Sequence, residues 1–198
     1  GTAAAYRLRM PAETTVFELY NIPRNGNWYK LTDFEKVLKS ATPLAFQEQA
    51  TETNSQQRKI QQQKVFYYQN DLKAALPYQQ LHNKGLVYES YQLAYTPEVL
   101  ANTFGDKISD FEALRAEGGY VKFDDENWWV ASGKTIYLES EETEVDAQNR
   151  FYQPIAFTDA FGNATKIGYY KDYYLPISET VDALGNTNTI EQFNFRNL

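Results

Sequence analysis

Apolar and polar positions alternate with a period of two at the start of the chain. In "RLRMPAETTVFELYNIP", Thr15, Phe17 and Leu19 share one side while Val16, Glu18 and Tyr20 share the other, which predicts extended chain. Pro23 and "RNGNW" then mark a turn. The period lengthens next: Phe34, Val37 and Leu38 form a stripe at helical spacing, with Thr32 and Glu35 spaced as a capping box. Pro43 is a stop signal, so a helix is predicted over 33–40. Residues 46–64 break the pattern, because seven glutamines surround only two large apolar side chains, Phe46 and Ile60. So little to bury predicts a mobile, solvated loop.

Alternation resumes in "KVFYYQ" and "GLVYESYQLAYT", both predicted as strands, with Val87, Tyr91, Leu93 and Tyr95 in phase and Glu89 interrupting them. Thr96 before Pro97, and Gly105 beyond, bound a helix over 97–104. Ser109 with Glu112 has capping-box spacing and "EGG" follows, so another helix is predicted over 110–117. "YVKFDDENWWVASGKTIYLES" predicts strand, acidic turn and strand, with a third strand after Gly133. Residues 139–146 carry five acidic side chains and no basic one, as expected of a solvated link. The expected organisation is a mixed β-rich region over 1–148 followed by two β-hairpin repeats over 149–198. In fold class this is α+β and mainly β, an antiparallel sheet with a few short helices running into the hairpins.

The repeats are explicit. "FTDAFGNATKIGYY" at 157–170 returns as "TVDALGNTNTIEQF" at 180–193, which maps Asp159, Gly162 and Asn163 onto Asp182, Gly185 and Asn186. Aspartate at the head of a turn accepts bonds from backbone groups just beyond it. Glycine supplies a positive φ, and asparagine tolerates the left-handed region better than most residues. Short extended runs flank each motif, so each predicts a hairpin turn. One such hairpin is marginal in water, and repetition extends a sheet by burying what a neighbour leaves open. An open edge is therefore expected after residue 190, with self-association through 187–195. Calcium binding is the competing reading of the Asp and Asn pairs, but the spacing lacks the further carboxylates of a calcium loop.

Composition narrows the chemistry. Of 198 residues 16 are tyrosine and 12 phenylalanine, the enrichment of half-buried pleated surfaces. The net charge of −7 disfavours binding to phosphate backbones, so no nucleic-acid partner is expected. No apolar run approaches the length of a membrane span, and "GTAAAYRLRM" lacks the apolar core of a secretory leader. With no cysteine and His82 as the single histidine, thiolate nucleophiles, disulfides and multi-histidine metal centres are excluded. No cofactor, metal or catalytic residue is expected. His82 sits beside a turn signal and reads as an exposed loop residue. Two alternatives remain open. Trp128 and Trp129 could stack on sugar rings in a carbohydrate- or surface-binding module, although adjacent strand residues face opposite sides. A glycoside hydrolase would draw two carboxylates from Asp124, Asp125, Glu126, Glu139 and Glu142, which instead stand in runs typical of solvated turns.

The motifs resemble a known family. "DAFGNATKIGYY" and "DALGNTNTI" look like Rhs/YD repeats. "YESYQLAYTPEVL", "AEGGYV", "WWVASGK", "FYQPIAFTDAFGN" and "FNFR" resemble, in that order, the B component of insecticidal toxin complexes (Tc toxins). The resemblance runs from about Ala5 to Leu198. It implies a non-enzymatic, structural role: part of a hollow shell of spiralling β-sheet that B builds with a C-type partner around a toxic polypeptide. It also implies that further repeats of the parent chain and the C-type partner are its contacts, and that the location is secreted or extracellular. In such a B component this chain would match the part downstream of the propeller that docks on the pore-forming component.

Overall fold

A computed structural model of the chain describes residues 9–51, 53–107, 112–123, 126–170 and 174–191. Among these, ten strands and four short α-helices make a mainly β, α+β fold. The chain divides into two compact units, Glu13–Gln63 with Gln92–Trp129, and Gly1–Ala12 with Lys64–Tyr91 and Val130–Leu198.

The first unit holds β1 (Glu13–Tyr20), α1 (Leu31–Ser40), β2 (Thr42–Leu44) and most of β3 (Gln56–Tyr67). It also holds the end of β4 (Val87–Tyr95), α2 (Pro97–Phe104), α3 (Glu112–Ala116), β5 (Tyr120–Lys122) and the start of β6 (Trp128–Ile136). Strand order is β1-β3-β4-β6, with β2 along β3 and β5 along β6. On β1, Thr15, Phe17 and Leu19 are the shielded phase and Val16 and Glu18 the exposed one. Leu100 of α2, Trp128 and Trp129 are buried. Thr96 caps α2 by accepting from the Val99 N–H, with Pro97 in the first turn, where its missing donor costs nothing.

Several expectations need correcting. The glutamine-rich stretch is a loop only in part: its described residues before Gln56 are in neither helix nor strand, but from Gln56 it is β3, which runs to Tyr67 with β1 and β4 on its two sides. Two of its glutamines, Gln56 and Gln62, are buried and bonded, while Gln61 is exposed. Gln56 Oε1 accepts from the Thr51 N–H at 2.7 Å. Gln62 accepts from Lys59 Nζ at 2.8 Å and donates to Glu13 Oε1 at 2.7 Å. With its polar end paired, a glutamine adds an aliphatic stem to a strand without burying an unsatisfied group. Helix α1 begins at Leu31, one residue before Thr32, and Lys30 at its N-cap makes no side-chain bond. The Ser109 cap lies outside the described residues, and the described part of that helix is α3. No third strand starts after Gly133: β6 runs through it at φ +107°, where a Cβ would run into the Thr158 carbonyl.

The second unit contains the remaining lengths of β3, β4 and β6, then α4 (Glu144–Asn149), β7 (Ala156–Thr158), β8 (Ala164–Tyr169), β9 (Ile177–Val181) and β10 (Thr187–Thr189). Strand order is β3-β4-β6-β7-β8-β9-β10. Its core is Tyr68, Leu72, Tyr137 and Ala147, with Leu86, Tyr88, Leu138 and Tyr152 packed against them. Tyr68 meets Tyr88 and Tyr137 edge-on at 4.9 and 5.6 Å, and its hydroxyl donates to the Thr135 carbonyl at 2.7 Å. The acidic stretch 139–146 is more than a link, since it leads into α4. Thr143 and Asp146 form a capping box there, and Arg150 grips Glu142 with two bonds of 2.6 and 2.7 Å.

Candidate functional site

The two repeated motifs fold into nearly identical turns. In the first, the Asp159 N–H donates to the Asn163 carbonyl at 2.9 Å and the Gly162 N–H to the Asp159 carbonyl at 3.1 Å. The second repeats both bonds between Asp182 and Asn186 and from Gly185 to Asp182, each at 3.0 Å. Each is a three-residue hairpin connection closed by a residue at positive φ. That residue is Gly162 at +84° and Gly185 at +85°.

The aspartate organises each loop. Asp159 Oδ1 accepts from the Phe161 and Asn163 N–H groups, both at 2.9 Å, and Oδ2 from Asn163 Nδ2 at 2.9 Å. Asp182 does the same with Leu184 at 2.9 Å, and with the Asn186 N–H and Nδ2, both at 2.8 Å. The asparagine amide holds each carboxyl below the ordinary aspartate value, aided by the backbone N–H bonds. The three side-chain bonds that each carboxyl accepts all come from within its own loop, which fits a structural turn better than a cation site. Among the described residues no group of three or more histidine, aspartate or glutamate side chains is placed to hold a metal.

Register links the turns into a ladder. In the first hairpin Phe157 pairs with Thr165 and Ala156 with Lys166. Strand β8 passes to β9 with Lys166 opposite Val181 and Gly168 opposite Glu179. The β9–β10 hairpin pairs Thr187 with Val181 and Thr189 with Glu179. Backbone groups on an antiparallel strand point alternately to one neighbour and the other. Asn186 accepts from Asp182 and Ile190 donates to the Ser178 carbonyl at 2.8 Å, so those positions face β9. Thr187 and Thr189 therefore turn their N–H and C=O groups to the opposite side, where β10 ends the strand order of the described residues.

A displacement of 23 residues carries Lys166 onto Thr189 and Gly168 onto Glu191. The outer edge of β10 is thus equivalent to the edge of β8 that β9 fills. One further bond ties the repeats together: the Tyr170 hydroxyl donates to the Ile190 carbonyl at 2.6 Å. Residue pattern alone pointed to the turns. The edge donors at Thr187 and Thr189 were not legible, because their direction follows only from the register.

The chemical alternatives look different in three dimensions. Trp128 and Trp129 are only 2% and 0% exposed, so neither offers a platform to a sugar. Trp129 packs edge-on against Phe123 at 5.8 Å, and Lys122 Nζ stands over Trp128 at 4.8 Å. Asp124 and Asp125 lie outside the described residues. The Arg150 bonds hold the Glu142 carboxyl below its ordinary value, opposite to the shift a general acid requires. His82 is exposed, and its Nδ1 accepts from the Asn70 N–H at 3.3 Å.

No protein-family model matches the chain, and no curated protein does. Among solved structures it is similar to part of the crystal structure of TcdB2-TccC3 without the hypervariable C-terminal region. The identity is 16% and the TM-score 0.49, over 96% of this chain and 10% of that one. It is also similar to part of the TcdB2-TccC3-Cdc42 crystal structure, at 17% identity and TM-score 0.38, over 68% of this chain and 7% of that one. The chain spans a small part of the length of either. What its described residues carry is a pair of equivalent turns, with β10 as the terminal strand of the described sheet order.

Proposed function

We propose that this chain is a non-enzymatic structural section of an Rhs-repeat toxin component resembling the Tc toxin B subunit. Its repeats would extend a β-sheet wall that, with a C-type partner, encloses a toxic polypeptide outside the producing cell. The observation that carries this reading is the equivalence of the β8 and β10 edges under the 23-residue period, since a filled edge repeated as an open one is the geometry of strand addition. The sequence blocks that resemble the B component support it independently. A catalytic role finds no support in Glu142, Asp146, Asp159 or Asp182, which are shifted downward and each engaged in a structural bond.

Sedimentation analysis tests the reading. The chain alone should self-associate through its β10 edge. Adding further repeats of the same period, with proline at the outward-facing positions of the final strand so that no new edge is offered, should suppress that association. The first added strand should carry lysine where it faces Glu191, because like charges opposite each other destabilise a ladder. Association unchanged by the extension would contradict the reading, as would turnover of a glycoside or ester substrate that is lost on mutating Glu139 or Asp125.

A further inference from the structure

One apolar cluster of the first unit is left uncovered. Asn25 and Trp28 are bridged in a tight turn, the Asn25 N–H donating to the Trp28 carbonyl at 3.2 Å, and Gly26 takes φ +70°. This turn holds Trp28 at 78% exposure immediately before α1. Helix α1 adds Leu31 at 77% exposure next to the turn; Leu38 at 41% lies on the same side two turns on, with exposed Glu35 between them, and only Val37 is buried. Tyr29 is held beside Trp28: Arg24 Nε donates to its hydroxyl at 2.8 Å, and its ring meets Phe34 at 5.6 Å. The cluster is therefore pre-organised, which lowers the ordering cost of binding.

The charge around it differs from the rest of the chain. Residues 21–40 carry Arg24, Lys30, Lys36 and Lys39 against Asp33 and Glu35, within a chain of net charge −7. Fields from more distant charges are screened over roughly 8 Å at physiological salt, so the local balance decides what the patch meets. A protein partner of ordinary interface size covers about 800 Å² and some 20–30 residues on each side. Four exposed apolar side chains on one turn and one short helix offer much less. Leucines do not stack on sugars. Tryptophan and tyrosine with exposed leucine and flanking lysine and arginine suit the boundary between lipid headgroups and acyl chains.

We propose that the segment from Arg24 to Leu38 docks peripherally on an anionic lipid surface, with Trp28 and Leu31 entering the interface and Arg24, Lys30, Lys36 and Lys39 meeting the headgroups. Nothing in this requires a span, and no helix of the described residues is long and apolar enough to form one.

Trp28 is itself the reporter, because Trp128 and Trp129 are buried and contribute a constant background. The full chain is titrated with vesicles of phosphatidylcholine and phosphatidylserine mixed about two to one, and with phosphatidylcholine alone. Tryptophan emission should shift to the blue and acrylamide quenching should fall, with binding about tenfold weaker on the neutral vesicles. Leu31→Glu should abolish the shift while preserving the circular dichroism spectrum, since glutamate is favourable in a first helical turn. A paired Lys30→Glu and Lys36→Glu variant should lose the preference for anionic lipid. Emission unmoved by either vesicle overturns the proposal and leaves the patch to a protein partner. A shift retained in Leu31→Glu overturns it as well.

Discussion

At Gly162 and Gly185 a Cβ would meet no atom within 4 Å, so space does not explain why glycine stands there. The backbone does. A φ near +85° strains any β-branched side chain, and relaxation of neighbours cannot relieve that strain. Gly162→Val should therefore destabilise the second unit by about 1–2 kcal/mol in chemical denaturation, and Gly162→Asn by clearly less. Equal losses would mean that the cost is steric after all. The aspartates give a pH test. Their folded values lie below the ordinary 3.8, so their contribution is fully present above that value and is lost as pH falls through the depressed one. The amide signals of Phe161, Asn163, Leu184 and Asn186 should titrate with midpoints below 3.8; midpoints at or above it would show that the side-chain bonds do not form.

Elements differ in how far the sequence reveals them, and the difference tracks the range of the interactions that build them. Strand β1 shows its alternation because one side is shielded, and α2 shows its cap because Thr96 and Val99 are three residues apart. The turns at Asp159 and Asp182 are legible for the same reason, every bond lying within five residues. Strand β3 was hidden because Gln62 is satisfied by Glu13, which is 49 positions away. No composition rule sees such a partner, and tertiary context overrode the polar composition. Helix α4 was hidden because the charge run was read without Arg150, which lies just past it and neutralises Glu142. A mobile loop would be cut early, and strand pairing predicts the opposite for the residues of β3. Limited proteolysis should spare residues 56–67 until the unit unfolds; early cleavage between Gln56 and Gln63 would show that β3 is not a central strand.

On the scale of the whole molecule, everything turns on whether the last strand is an end or a joint. Exposed edges are a hazard that proteins normally blunt with charge, proline or a bulge. The described part of β10 carries Thr187, Asn188 and Thr189, with no charge and no proline. Such an edge suits a strand that is meant to be covered. Amide hydrogen exchange at Thr187 and Thr189 measures this most directly, on dilute chain and on chain extended by one repeat of the same period. The account predicts fast exchange at both positions in the dilute chain and strong protection in the extended one, with Asn188 and Ile190 protected in both. Fast exchange at Thr187 and Thr189 that persists in a folded extension would contradict it.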